Sequence, residues 1–333
     1  MQPASLKKYL VNYLDNRRKT SLRAKSSYVL LNKMYYIENE YLEVGIDAKG
    51  AELVSLYHKD HNLEYMWGAD PTFWGKSSPV LFPIVGGLKD NSYTFEGKSY
   101  KLPRHGFARD MVFEVEDHWD DGISFLLRSN EDTLKVYPFA FEFRLVYELY
   151  ANLLSVTYHV TNLGEKDMYF SVGGHPAFAV PLEEGLSYQD YYLEFEEEEN
   201  LKRWPLSSQG LILDEPEAIF EQNLIDNELV EIETKLLPLT KELFHQDALV
   251  FKQLNSSTVT LKSDKSEHSL RFDFAGFPFL GIWAAKDADF VCIEPWCGIA
   301  DSVRHSQELT EKEGINILPV GDVFERAWAV KLT

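Results

Sequence analysis

The chain has 333 residues, of which 45% are hydrophobic and 14% aromatic, and this is enough apolar material for a large packed core. Its 53 acidic and 33 basic residues give a net charge of −20, which argues against a nucleic-acid partner because phosphates bind basic surfaces. No apolar run approaches the ~20 residues that span a bilayer, and Cys292 and Cys297 alone make neither a disulfide framework nor a four-ligand zinc site.

Residues 1–33 differ from the rest, because they carry eight basic residues and one acidic residue. Apolar residues from Leu6 to Leu14 recur at helical spacing, which predicts a short amphipathic helix. This segment is either an arm that binds an anionic membrane or a partner, or an extension outside the fold with Met34 as the natural start. We favour the extension, because the apolar stripe is short and uncapped. The segment lacks the apolar core of a secretion signal, and we expect a cytoplasmic protein with reduced thiols and no membrane contact.

From Met34 onward, the apolar residues recur with the period of β-strands. In segment 154–161, apolar side chains alternate with polar ones, as in a strand with one buried face. Further strands are predicted at 41–46, 51–57, 112–116, 123–128, 141–149, 168–172, 191–196, 249–254, 258–262, 269–274, 279–284, 290–294, 316–320 and 327–332. Segment 236–245 is the one internal stretch typical of a helix. Many short strands without long helices between them predict an all-β antiparallel sandwich or barrel, with a few short helices and residues 34–333 as a single domain.

The segment around His105 places this histidine between Arg104 and Arg109 and next to Gly106. Two neighbouring cations disfavour the imidazolium form, so His105 would stay neutral and hydrogen-bond a ligand. The alternative is a histidine in a surface turn, and the spacing alone does not choose between the two.

His175 follows a predicted strand and two glycines, and it precedes Pro176. The proline biases His175 toward an extended conformation, and the glycines allow a ligand or another backbone to come close. A histidine held at the end of a strand is suited to proton transfer near neutral pH. The alternative is a histidine packed beneath a turn.

Glu294 is the one carboxylate in an otherwise apolar predicted strand, where a charge is costly unless it is paired or functional. Partial desolvation would raise its pKa and make it a better base. Trp283 and Trp296 lie nearby in sequence, and flat aromatic faces beside a carboxylate suit a sugar ring. The alternative is a buried ion pair with Arg104 or Arg109.

Other candidate chemistries have weaker support. Asp247 precedes a predicted strand, where it would accept hydrogen bonds from sugar hydroxyls or simply form a turn. The sequence contains no GxSxG elbow and no phosphate-binding P-loop. His105, His175 and Glu294 are the right residue types for a metal triad, but they lack tight ligand spacing, and we expect no metal.

Four segments together resemble the aldose 1-epimerase (mutarotase) family. They are PVLFPIVG at 79–86, RHGFAR at 104–109, GGHPAF at 173–178 and CIEPW at 292–296. The resemblance covers about residues 34–333 and implies the galactose mutarotase-like fold. That fold is a large antiparallel β-supersandwich with its site in an open cleft on one sheet.

The resemblance also implies an activity and a set of site residues. It implies His175 as general acid, Glu294 as general base, His105 as a ligand near the ring oxygen and Asp247 as a hydroxyl-binding residue. These groups would interconvert the anomers of a free sugar without a cofactor, in a monomer or a homodimer. Trp283 and Trp296 would contact the sugar ring.

One position departs from the family pattern. Many members have an arginine that contacts the sugar shortly after the FPI segment, whereas this chain has Gly87 there. Either Lys89 or Arg109 takes its place, or the preferred sugar differs. Two alternatives to a free-aldose epimerase stay open: a non-catalytic sugar-binding or sensor protein, and a hexose-6-phosphate 1-epimerase that uses these basic residues and Arg104.

Overall fold

The computed structural model describes residues 33–220, the strand residues 223–225 and 228–230, and residues 233–333. Residues 1–32, which include the predicted amphipathic helix, lie outside the described residues. The division of the chain into a basic extension and one domain therefore stays a prediction. Within the described ranges, no helix has the length and apolar character needed to cross a membrane.

Twenty-six strands, all paired antiparallel, dominate the described residues. The first thirteen are β1 (Met34–Glu38), β2 (Leu42–Asp47), β3 (Glu52–His58), β4 (Leu63–Glu64), β5 (Ser92–Phe95), β6 (Lys98–Lys101), β7 (Glu114–Trp119), β8 (Gly122–Arg128), β9 (Phe141–Tyr150), β10 (Leu153–Asn162), β11 (Met168–Phe170), β12 (Val172–Gly173) and β13 (Ala177–Ala179). The others are β14 (Tyr191–Asn200), β15 (Lys202–Arg203), β16 (Glu217–Ala218), β17 (Asn223–Ile225), β18 (Glu228–Val230), β19 (Glu233–Pro238), β20 (Leu249–Lys252), β21 (Thr258–Ser263), β22 (Leu270–Asp273), β23 (Phe279–Trp283), β24 (Phe290–Cys297), β25 (Asn316–Leu318) and β26 (Val323–Leu332).

The helices in the described part of the chain are short. The α-helix α1 (Glu131–Val136) begins after Asn130, whose side chain accepts hydrogen bonds from the first turn. Single 3₁₀ turns lie at Lys89–Asn91, Ala108–Asp110, Tyr188–Asp190, Lys241–Phe244 and Leu309–Glu311. This arrangement confirms the predicted all-β fold with a few short helices.

The largest sheet has nine strands in the order β19-β14-β21-β22-β26-β10-β9-β8-β7. Its central strands β9 and β10 alternate buried and half-exposed residues, as the sequence pattern predicted. Phe272 of β22 stacks on Trp328 of β26 with 5.3 Å between ring centroids. Phe272 also contacts Phe178 of β13, which belongs to a second sheet. Aromatic packing therefore joins the two sheets face to face.

The second sheet has five strands and contains a long strand, β24, that is buried along its whole length. Its order is β12-β24-β23-β20, and β13 also pairs with β24. All eight residues of β24 are buried, which accounts for its almost unbroken apolar sequence. The single carboxylate in β24, Glu294, therefore lies in the interior of the sheet.

Every predicted strand overlaps an observed one, but the predicted helix at 236–245 is wrong. Its first residues, Leu236 to Pro238, end strand β19, where Leu237 pairs with Leu193 of β14. Only Lys241–Phe244 is helical, as one 3₁₀ turn. Pairing with β14 outweighs local helical spacing, and a proline inside the segment disfavours an α-helix there.

Candidate active site

The segment that carries His175 runs antiparallel to β24. Gly173 pairs with Trp296 and Ala177 pairs with Cys292. This register puts His175 directly across from Glu294, and opposite side chains on one face of a sheet approach closely. The two residues that the sequence singled out separately therefore form one cross-strand pair.

The His175–Glu294 pair is buried and short of hydrogen bonds. His175 Nε2 lies 3.3 Å from Glu294 Oε2, and the side chains are 10% and 2% exposed. His175 Nδ1 and Glu294 Oε2 are both buried, and neither has a well-formed hydrogen bond to any of the described residues. Most buried polar atoms in proteins are paired, so two such atoms at one place indicate a functional site.

Burial shifts both groups of the pair toward their neutral forms. It lowers the pKa of His175 below the usual 6.5, and the Arg109 guanidinium acts in the same direction. It raises the pKa of Glu294 well above the usual 4.5, and the nearby Asp247 carboxylate adds to this shift. When the pair holds a single proton, both shifts therefore favour the neutral arrangement, in which the proton lies on Glu294 and the imidazole of His175 is uncharged.

His105 lies beside the pair, with its ring centroid 5.8 Å from that of His175. Its Nδ1 accepts a hydrogen bond from the Gly86 backbone N–H, so the neutral ring carries its proton on Nε2 and can donate there. Burial, with His175, Arg109 and Arg104 nearby, lowers the pKa of His105 well below its usual value. The direction agrees with the sequence prediction, although burial is a larger cause than the arginines.

Tryptophans form the aromatic wall of the site. Trp74 stacks on His175 with 4.9 Å between centroids, and Trp283 meets the same ring edge-on at 5.5 Å. Trp296 lines the cavity from β24 and is largely buried. Sequence reasoning missed Trp74, which is brought here by a loop between β4 and β5. The aromatic cluster around it, with Phe73 before it, was the available signal.

One cavity of about 320 Å³ is lined by the His175–Glu294 pair, by His105 and by the three tryptophans. This volume is at the lower end of the range for small-molecule sites. The cavity is also lined by Asp247, whose carboxylate lies 3.8 Å from the guanidinium of Arg104, a residue that was not among the predicted sugar contacts. Arg109 also lines the cavity, but one of its guanidinium nitrogens already donates to the Arg104 carbonyl at 2.9 Å.

Seven of the eight predicted site residues line this cavity: His175, Glu294, His105, Asp247, Arg109, Trp283 and Trp296. Lys89 does not. Its ammonium donates to the carbonyl of His305, and its backbone N–H donates to Asp301. The suggestion that Lys89 replaces the family arginine is therefore corrected, because its polar groups hold a neighbouring loop.

Three side chains in the described residues could hold a metal ion. His175, Cys292 and Glu294 have ligand atoms within 4.8 Å of one another. The trio considered from the sequence had His105 in place of Cys292. Burial raises the pKa of the Cys292 thiol well above its usual value, so this ligand would have to lose a tightly held proton before binding a metal.

Comparison with known proteins gives consistent matches. A family model described as aldose 1-epimerase matches residues 33–312. Protein LacX (chromosomal) of Lactococcus lactis subsp. lactis is 36% identical over 307 residues, which are 89% of this chain and 98% of that protein.

Two solved structures are similar over most of their length. One is a galactose mutarotase related enzyme from Lactobacillus acidophilus, with 37% identity, a TM-score of 0.80, and coverage of 90% of this chain and 97% of that one. The other is a galactose mutarotase-like protein from Lactobacillus casei, with 34% identity, a TM-score of 0.82, and coverage of 90% and 100%. The cavity residues all lie within the matched region of the family model.

Proposed function

Because this chain belongs to the aldose 1-epimerase family, we propose that it interconverts the α and β anomers of a free aldose. The observation that carries the proposal is the buried pair of His175 and Glu294, 3.3 Å apart in a cavity walled by tryptophan. Opening a sugar ring requires an acid at one oxygen and a base at the other. A binding protein needs hydroxyl contacts but no such pair.

In the proposed reaction, Glu294 removes the proton of the anomeric hydroxyl while His175 donates a proton to the ring oxygen. The bond from C1 to the ring oxygen breaks, and an open-chain aldehyde forms. Rotation about C1–C2 presents the other face of the carbonyl, and both proton transfers reverse as the ring closes. No electron or phosphoryl group moves, so the reaction needs no cofactor.

The pKa shifts suit this proton exchange. Ring opening starts from the ionic form of the pair, with the proton on His175, which the pKa shifts make the less populated form, and it ends with the proton on Glu294. Burial favours a neutral histidine and a neutral carboxyl, so it favours the direction in which His175 gives and Glu294 takes. His105, neutral and with its proton on Nε2, would hydrogen-bond the ring oxygen or a neighbouring hydroxyl.

We expect the rate to depend on pH through the number of protons on the pair. With two protons the pair has no base, and with none it has no acid, so kcat/KM should follow a bell-shaped profile. Because the pKa of His175 is lowered, the acid limb should lie well below pH 6.5. Because the pKa of Glu294 is raised, the alkaline limb should lie well above pH 4.5. Polarimetry from pH 4 to 9 would contradict this if the acid limb, on which kcat/KM falls toward low pH, had its midpoint near 6.5.

The substrate class can be tested by anomer-exchange NMR. We expect saturation transfer between the anomers of glucose, galactose or xylose in the presence of the protein, and weaker or no transfer with glucose 6-phosphate and galactose 6-phosphate. Transfer with the phosphates alone would favour a hexose-6-phosphate epimerase. Sugar binding without any transfer would favour a binding or sensor protein.

We also propose a cytoplasmic location and a monomeric or homodimeric state. Cys292 and Cys297 are free and buried in the structure, which fits a reducing compartment. If cells are lysed in denaturant with an alkylating agent, both cysteines should be recovered in the alkylated form, as expected for thiols that were reduced in the cell.

A further inference from the structure

The side chain of Arg104 packs in a space that the Cβ of any residue other than glycine at position 210 would fill. Gly210 has a φ of +74°, and a Cβ added there would lie 1.4 Å from Arg104 Nη2. Any residue other than glycine at position 210 would therefore push the guanidinium aside. The left-handed backbone also favours glycine at this position.

The turn that carries Gly210 is held in place on both sides. Leu206 pairs with Ile212 across it, and the Gly210 N–H donates to the Ser207 carbonyl at 2.8 Å. The Ile212 N–H donates to the carbonyl of Asp301 at 2.9 Å. Because the turn is anchored, the guanidinium that rests on Gly210 has a defined position in the cavity wall.

The guanidinium has donors to spare on its cavity side. Within the described part of the chain, its polar contacts are the Gln209 carbonyl, 3.4 Å from Nη2, and the Asp247 carboxylate, 3.8 Å from Nη1. The Arg104 and Asp247 side chains are 42% and 35% exposed, so a ligand in the cavity can reach both. A separation of 3.8 Å is too long for a hydrogen bond between them.

A sugar hydroxyl fits this gap. An oxygen about 2.8 Å from both groups would accept from Arg104 and donate to Asp247, which satisfies both of its roles. A phosphate would meet the Asp247 carboxylate at the same place. The charge arrangement thus favours an uncharged hydroxyl over an anion.

We propose that Arg104, which packs against Gly210, binds the sugar together with Asp247. By recognising one ring hydroxyl, Arg104 determines which aldoses the site accepts. This inference rests on the proposed function, because it assumes a sugar in the cavity. Arg104 thereby supplies the arginine contact that Gly87 cannot provide.

The contact between Arg104 and Gly210 can be tested with a double-mutant cycle. We expect Arg104→Ala and Gly210→Ala each to lower kcat/KM by about 10- to 100-fold, the effect of losing a hydrogen bond to a charged group. Because both changes remove the same contact, the double variant should lie within about twofold of Arg104→Ala. Gly185→Ala is the matched control: Gly185 also has a positive φ, but no atom of the described residues lies within 4 Å of its added Cβ. This control should leave kcat/KM unchanged.

The hydroxyl can be identified with deoxy sugars. The wild type should discriminate about 10- to 100-fold against the one monodeoxy aldose that lacks the recognised hydroxyl, and Arg104→Ala should remove this discrimination. Binding of the same sugars is followed by tryptophan fluorescence, since Trp74, Trp283 and Trp296 line the cavity.

The outcomes separate this inference from the proposed function. Turnover with unchanged discrimination in Arg104→Ala, or additive losses in the double variant, would overturn the inference and leave the function intact. Binding that depends on Arg104 without turnover would refute the function and keep the inference. A selective loss of phosphorylated sugars in Arg104→Ala would overturn the assignment to a hydroxyl, and absence of both binding and turnover would overturn both proposals.

Discussion

Replacing Glu294 by Gln is expected to lower kcat for mutarotation by about 10²–10⁴-fold, the usual contribution of a positioned acid or base. The amide keeps the shape of the carboxyl group but cannot take the proton of the anomeric hydroxyl. His175→Asn should cause a loss of similar size, because the ring oxygen then leaves without a proton. Polarimetry with a substrate identified by NMR gives both rates.

The losses of rate caused by the two single substitutions should not be additive. Residues that act as a unit lose most of their contribution when either is removed, so the double variant should be close to the slower single one. Sugar binding, followed by tryptophan fluorescence, should persist in all three. If both single variants retained the wild-type rate, the assignment of His175 and Glu294 would be refuted.

Stability provides an independent control on Glu294→Gln. The pKa of Glu294 is raised in the folded protein, so its favourable contribution is complete below the unfolded value near 4.5 and declines as the pH rises through the folded value. Glutamine has no such pH-dependent loss. Urea denaturation at pH 7–8 should therefore find the variant at least as stable as the wild type, which separates lost chemistry from lost folding.

Replacing Lys312 by Met is expected to lower the free energy of unfolding by about 3–5 kcal/mol, the usual cost of removing one partner from a buried ion pair. Lys312 Nζ lies 2.6 Å from Asp301 Oδ1, and neither side chain is exposed. The substitution keeps the length of the side chain but leaves the Asp301 carboxylate buried without its cation. Urea denaturation with fluorescence detection measures the change.

A second substitution tests the cause. Asp301→Asn removes the uncompensated charge and can still accept the Lys89 backbone N–H that the carboxylate accepts at 2.9 Å. The variant with both Lys312→Met and Asp301→Asn should therefore recover much of the lost stability. A loss below 1 kcal/mol in Lys312→Met, or no recovery in the double variant, would contradict this account.

Local pattern predicted most of the fold, because strands with one buried face leave a period of two in the sequence. It did not predict where β19 ends and a 3₁₀ turn begins, since pairing with β14 decides that boundary. The sequence of segment 236–245 does not by itself indicate which strand it pairs with.

The candidate site, like the fold, was predictable from the sequence only in part. His175 and Glu294 were each unusual in their own segments, so both could be identified, whereas their cross-strand register is a property of the sheet. Trp74 and Arg104 line the cavity because loops bring them there, and the sequence pattern does not indicate the path of these loops. Lys89 was misassigned because sequence distance to Gly87 does not reveal the direction of its side chain.

The order of strands in the large sheet has a consequence for biosynthesis. Strand β26 lies between β22 and β10, so it joins the half built from β7 to β10 with the half built from β14, β19, β21 and β22. Until residues 323–332 have left the ribosome, each half presents an unpaired edge. We therefore expect nascent chains that stop before residue 323 to be sensitive to protease and to recruit chaperones, and folding to be completed only after β26 is inserted.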